Sequence, residues 1–316
     1  MYKFAFTYLV KENKETWEEF SISLNLLYEN ILRKLFCNFK IIIFYEGKVS
    51  KDLELFLNNL KENKNIKIIL KKIFIVKYVR RKEKDNFIKD FPHAADCRLI
   101  TSLGYRDMCK FFAYDIFLDE QFDDVEYFVR LDTDSFFLYT NKKFIYSLQK
   151  FSYEYGYIKN TIQLEDKAVS LGFGKLLYNY FKDNKNFSSL NKDYISLCQE
   201  ATLKPKIYYT NFEIIKLTWV KSKSHTKLMK QIIKSKGIYN YRWGDALIRY
   251  YAINLLGASK KSLRGCLYKH SGLYDSRNIL RSFLTKSYAK FRKKLYKNNY
   301  EKRLSKIDKI FLGFYI

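Results

Sequence analysis

Apolar and polar positions alternate along the chain in two rhythms. Dense apolar, β-branched runs at 2–10, 39–45, 66–79 and 127–131 predict strands. Between them Trp17, Phe20, Leu24, Leu27, Ile31 and Leu35 recur at three- and four-residue spacing and predict a helix over 16–36, with a shorter one over 51–60. Strand, helix, strand, helix, strand is the order of an α/β chain whose mostly parallel sheet is covered by helices. Further helical patterns fall at 105–118, 141–155, 222–235 and 245–256, and 160–205 reads as short amphipathic pieces around Gly172 and Gly174. No internal repeat is present.

Beyond residue 275 the pattern changes. Residues 276–316 hold twelve Lys or Arg against Glu301 and Asp308, around an apolar stripe of Leu280, Phe283, Leu284, Tyr288, Phe291 and Leu295. The expected organisation is therefore a domain over 1–275 and a basic amphipathic helical tail over 276–316. Such a tail suits either a solvated helix face or peripheral contact with an anionic membrane.

Composition adds bounds. The chain of 316 residues is 47% hydrophobic and 18% aromatic, enough to bury a substantial core and too apolar for a disordered chain. Its 59 Lys and Arg against 33 Asp and Glu give a net +26, which attracts phosphate-bearing partners without naming one. A nucleic-acid-binding protein is the competing class, but no recognition motif supports it, and nucleic acid is not an expected partner. The five cysteines are widely spaced, with no Cys-x-x-Cys pair, so neither a disulfide framework nor a zinc ribbon is expected. The first residues are too polar and too short for a span or signal and read as a strand. Together these features give the expectation of a cytoplasmic protein.

The chemistry is concentrated at Asp132-Thr-Asp134. Two carboxylates two residues apart, directly after an apolar strand, stand where open α/β sheets bind ligands. Both can face one hard divalent cation, which in turn bridges diphosphate oxygens. A phosphotransferase or nuclease could use the same pair.

Four segments in order make the reading more specific: Gly104-Tyr-Arg-Asp-Met-Cys-Lys-Phe111, Tyr127-Phe-Val-Arg-Leu-Asp-Thr-Asp134, Thr210-Asn-Phe-Glu-Ile214 and Tyr241-Arg-Trp-Gly-Asp-Ala246. They resemble the signature blocks of the fungal α-1,2-mannosyltransferases, glycosyltransferase family 15, over roughly residues 3–273. The resemblance implies a GT-A fold, a Rossmann-type mixed sheet flanked by helices. It also implies Mn²⁺ (or Mg²⁺), GDP-mannose as donor, a glycan or lipid-linked saccharide as acceptor, and transfer to its 2-OH with retention. Another sugar nucleotide is the alternative donor.

By the same resemblance Asp132 stands where the family has the Glu of Glu-Pro-Asp, and Asp134 matches its Asp. Both are implied metal ligands, with Asp132 also facing the donor. Leu267-Tyr-Lys-His270 is similar to the family segment that supplies a metal-binding His, which makes His270 the implied third ligand. Glu213 resembles the carboxylate near the anomeric carbon, as nucleophile or, preferably, as stabiliser of an oxocarbenium-like state. In that case the leaving phosphate takes the acceptor proton on the same face. Asp245 is placed to cap the following helix, and the resemblance sets it beside the acceptor, with Trp243 beneath the sugar. Tyr105 and Arg106 are implied donor contacts. Lys11 replaces a family Arg, and a lysine cannot reproduce its bidentate fork. The family's disulfide cysteines, its N-terminal anchor and stem, and its motif proline (Thr133 here) are not matched, in keeping with the cytoplasmic expectation.

Overall fold

The computed structural model describes residues 1–11, 14–49, 51–64, 66–73, 103–158, 161–183 and 192–270. The basic tail lies outside the described residues.

Four parallel strands form one half of a seven-stranded sheet: β1 (Tyr2–Val10), β2 (Phe39–Tyr45), β3 (Lys67–Lys72) and β4 (Val125–Leu131), side by side in the order β3, β2, β1, β4. Next to β4 lies β9 (Phe212–Lys216), antiparallel to it. β6 (Tyr155–Ile158) runs antiparallel to β9, and β10 (Lys260–Leu263) closes the edge parallel to β6. The sheet is thus mixed, with helices on both faces, as the sequence predicts.

Alternation along the central strands feeds two cores. Phe4, Phe6 and Tyr8 of β1, with Tyr127, Val129 and Leu131 of β4, pack with Phe20, Leu24 and Leu27 of α1 (Lys14–Asn30) and with Phe144 and Leu148 of a later helix. Ala5, Phe44, Phe128 and Ile215 point the other way and meet Phe112 of α3 (Leu103–Ala113) and Leu247 and Tyr251 of a C-terminal helix. Burial on both faces is why β1 and β2 read as nearly unbroken apolar runs. α2 (Lys51–Lys64) forms the crossover between the parallel strands β2 and β3.

Several boundaries differ from the pattern. The 16–36 helix is α1 followed by a 3-10 turn at Leu32–Lys34, and the 105–118 helix is α3 followed by one at Asp115–Leu118. Ile31, Leu35 and Ile116 are buried in both cases, so the apolar spacing persists while the hydrogen-bond type tightens. The 141–155 helix is shorter: α4 (Lys142–Gln149) is capped by Asn141, whose side-chain Oδ1 accepts from Phe144 N–H at 2.9 Å, and Tyr155 already belongs to β6. Of the 66–79 strand, β3 covers 67–72, and residues from 74 on lie outside the described residues.

A second, two-stranded ribbon positions the site. β5 (Ser135–Thr140) pairs antiparallel with β11 (Cys266–His270), so His270 stands opposite Ser135, just beyond the end of β4. α5 (Phe173–Asp183) and α6 (Lys192–Leu203) pack as a helical pair with Gly174 at their contact, and β7 (Ile162–Leu164) pairs with β8 (Lys206–Tyr208). Among the described residues, no helix is long and apolar enough to cross a membrane.

Candidate active site

At the C-terminal end of β4 the chain turns sharply. Asp132 N–H donates to the Asn211 carbonyl (3.2 Å), and Ser135 N–H returns to the Asp132 carbonyl (3.1 Å). This turn sets the Asp132 and Asp134 carboxylates beside His270. His270 Nε2 lies 2.8 Å from Asp134 Oδ1 and 3.5 Å from Asp132 Oδ2. The three side chains each offer one ligand atom within 4.8 Å of the others, and all are half-buried. Tyr209 OH meets the other ring nitrogen, Nδ1, at 3.2 Å, which orients the imidazole as outer partners of metal-bound histidines do. Burial works against the imidazolium, but hydrogen bonds and charge from Asp132 and Asp134 outweigh it and lift His270 to about 9. A site that holds a proton this firmly between two carboxylates is one that attracts positive charge. Two carboxylate oxygens and one imidazole nitrogen fit Mn²⁺ or Mg²⁺.

Beneath this cluster runs a buried charged network. Arg130, on β4, donates through Nε to Asp132 Oδ1 (3.1 Å) and through Nη1 to Thr210 Oγ1 (3.2 Å) and to the Asp245 carboxylate. Its guanidinium carbon lies over the Phe112 ring, 3.7 Å from the centroid. Thr210 Oγ1 also donates to Asp245 at 2.9 Å. Opposite Arg130 in register stands Glu213 on β9, fully buried and ion-paired with Arg249 Nε at 3.2 Å. Burial raises the Glu213 carboxyl above its ordinary value, and Arg249 and Arg130 restrain the rise. Asp132 moves the other way: burial opposes ionisation, but Arg130 and then His270 hold it below the usual range.

The other expected residues occupy different settings. Asp245 is buried and opens the helix Asp245–Leu255, but the helix cap is Gly244. The expected capping role is therefore corrected: the carboxylate is committed to Arg130 and Thr210, not to backbone N–H groups. Trp243 is a core residue, 2% exposed, with its indole N–H on the Leu171 carbonyl (2.9 Å), so it supports the loop and offers no open face to a sugar. Tyr105 is half-buried, with the Arg242 guanidinium 4.5 Å from its ring centroid. Charge on the neighbouring Cys109, burial and Asp245 all raise its hydroxyl above the ordinary value. Arg106 does not stand where a donor contact was expected. It is 1% exposed and donates to the Tyr239 carbonyl, tying α3 to the short helix Gly237–Tyr241. Lys11 is exposed just past β1.

Arg130, Arg249, Thr210 and Tyr209 are absent from the sequence-derived set. Arg130 carried a usable signal, since a guanidinium inside a buried strand requires counter-charges and the nearest carboxylate is two residues on, on the same face. Tyr209 and Arg249 carried none, because their partners are remote in sequence.

The profile of the glycolipid 2-alpha-mannosyltransferases matches residues 63–279, a span that includes every residue of the cluster and of the network below it. The chain belongs to this family. Members similar to it include three from Saccharomyces cerevisiae. The probable mannosyltransferase KTR4 is 25% identical over 172 residues, covering 51% of this chain and 36% of its own length. The probable mannosyltransferase KTR3 is 27% identical over 158 residues, 49% of this chain and 39% of its own. The chain therefore matches well under half the length of these family members. Solved structures agree on the fold. Core-mannan synthase A from Aspergillus fumigatus, in its Mn/GDP form, superposes with a TM-score of 0.67 at 14% identity, over 85% of this chain and 75% of that one. The mannosyltransferase Ktr4p of S. cerevisiae in complex with GDP gives 0.64 at 17%, over 85% and 71%. The fold is of the GT-A type.

Proposed function

We propose that this chain is a divalent-metal-dependent retaining mannosyltransferase, moving mannose from GDP-mannose to the 2-OH of a glycan or glycolipid acceptor. The observation that carries this reading is the convergence of Asp132, Asp134 and His270 at the end of β4, in a member of the glycolipid 2-alpha-mannosyltransferase family.

In this reading those three side chains hold Mn²⁺ (or Mg²⁺). Held there by Asp132, Asp134 and His270, such a cation would supply the positive charge that a departing diphosphate needs. Arg130 keeps Asp132 ionised from below and keeps Asp245 in place. Glu213 sits one strand over from Arg130, where its carboxylate stabilises positive charge developing at the anomeric carbon, and Arg249 sets its orientation. Because Glu213 is fully buried, this role requires that the bound donor reach it from the Asp132 side. Asp245 borders the acceptor, and Tyr105 and Lys11 lie toward the nucleotide. The buried Arg106 supports α3 through the Tyr239 carbonyl.

The test is release of GDP from GDP-mannose with Mn²⁺, run against a panel of other sugar nucleotides. Asp132→Asn and Asp134→Asn are each expected to lower kcat/KM on the order of 10²-fold or more while far-UV circular dichroism stays native. Metal-independent turnover, or full activity in both variants, overturns the assignment, and preference for another sugar nucleotide corrects the donor. Peripheral contact of the basic tail with the anionic cytoplasmic face of a membrane belongs to the same proposal, supported by its twelve cationic residues. Deleting 276–316 is expected to abolish cosedimentation with anionic vesicles, and unchanged cosedimentation refutes it.

A further inference from the structure

Asn211 precedes β9, and its backbone is fixed from two sides. Its carbonyl accepts from Asp132 N–H at 3.2 Å and from Ser135 Oγ at 2.8 Å. It stands opposite Asp132, one position past the Leu131 and Phe212 register pair. The residue is 4% exposed, yet among the described residues neither Nδ2 nor Oδ1 of its amide has a hydrogen-bond partner. Every neighbour in this short stretch is committed. Thr210 bonds Asp245, Phe212 packs edge-on against Phe137 with centroids 5.1 Å apart, and Glu213 pairs with Arg249. An asparagine in a turn ordinarily satisfies itself on nearby backbone, and a buried polar side chain that does not is unfavourable to folding. Its retention calls for a partner that arrives from outside.

The chemistry of that partner follows from the amide. A primary amide donates and accepts at once. A phosphate only accepts and would leave Oδ1 unpaired, while a cation would take Oδ1 and repel the N–H side. A hydroxyl, or two adjacent ones, takes both. The position also fits, since Asn211 is backbone-bonded to Asp132 and lies two residues from Glu213. A sugar joined to a diphosphate held at Asp132 passes this point.

We propose that the Asn211 amide binds ring hydroxyls of the transferred hexose and so contributes to donor-sugar specificity. This rests on the sugar-nucleotide reading above. A site built to bond a hydroxyl discriminates strongly against ligands that lack it, because its own polar atoms are then left unpaired.

The test compares Kd for GDP and for GDP-mannose, both with Mn²⁺, in the wild type, Asn211→Ala and Asn211→Ser. In Asn211→Ala the ratio of the two constants is expected to shift by at least about tenfold against GDP-mannose, with Kd for GDP within about twofold of the wild type. Asn211→Ser keeps one donor and acceptor, and its ratio is expected to fall between the two. If it is also the better-folded variant, its shift alone decides. Equal weakening of both ligands marks a structural residue and overturns the proposal, as does an unchanged ratio. A wild type that binds neither ligand with Mn²⁺ overturns the donor reading first, and this proposal with it.

Discussion

Replacing Arg130 by methionine tests whether the network under the metal cluster is held by one cation. Methionine keeps most of the volume over Phe112 but removes the donors to Asp132, Thr210 and Asp245. The contacts are unequal. Asp132 keeps 29% side-chain exposure, so its ion pair is partly screened and its loss is small. Asp245 keeps 6%, against 4% for Arg130, and would be left as a buried carboxylate that, among the described residues, retains the hydrogen bond from Thr210. Removing one partner of a buried pair costs about 3–5 kcal/mol. At about 2–4 °C per kcal/mol for domains of a couple of hundred residues, Tm is expected to fall by roughly 6–20 °C. Calorimetry or thermal-shift fluorescence of the metal-free protein reads this directly. Pairing the change with Asp245→Asn neutralises the stranded carboxylate, so the double variant is expected to lose at least about 1 kcal/mol less than the sum of the singles. A loss below about 1 kcal/mol for Arg130→Met, or strict additivity in the double variant, refutes the view of Arg130 as the central counter-charge.

The raised His270 gives a pH signature. Its folded-state value, about 9, lies above the ordinary 6.5, so its contribution to the stability of the metal-free protein is complete below about 6.5 and is lost as pH rises through about 9. The same proton must leave before Nε2 can ligate, so Mn²⁺ affinity is expected to rise by up to about tenfold per pH unit until about 9. Calorimetric titration at pH 7 in buffers of different ionisation enthalpy should register release of about one proton, and no release contradicts the ligand assignment. Gly174 offers a packing test in α5. A Cβ there would lie 2.2 Å from Thr202 Oγ1 and 2.3 Å from the Cys198 carbonyl. Helix propensity alone would make Gly174→Ala favourable by about 1 kcal/mol, but overpacking is expected to make it unfavourable by about 1–3 kcal/mol. A raised urea midpoint would show that α5 and α6 are not in close contact.

What could be read from the sequence follows the range of the interactions involved. β1 and β2 coincide with their predicted bounds because strands buried on both faces announce themselves by composition. The Asp132 and Asp134 pair stood out because its geometry is local. β6 and β9, four and five residues long, give no usable alternation, since Glu213 interrupts one and Gly156 the other. The β5 and β11 ribbon escaped because its strands are joined across more than a hundred residues of chain, so only resemblance pointed to His270. The burial of Arg106 and Trp243 is a tertiary outcome as well. Each resembles an exposed ligand contact until the Tyr239 and Leu171 carbonyls that bind them are brought near by the fold.

The place of β9 between β4 and β6 has a consequence for the order in which the molecule can be made. β4 is synthesised with one edge ready to join β1 and the other without a partner, because the strand that belongs there begins only at Phe212. β6 appears first, at Tyr155, runs in the same direction as β4, and must leave a gap one strand wide. A nascent chain thus carries an exposed apolar edge through the synthesis of some eighty residues, a stretch in which it is open to wrong pairing. The two aspartates emerge before that interval, Asn211 and Glu213 close it, and His270 arrives last. Affinity for a divalent cation would then report not only on three side chains but on whether the whole sheet has been threaded to completion.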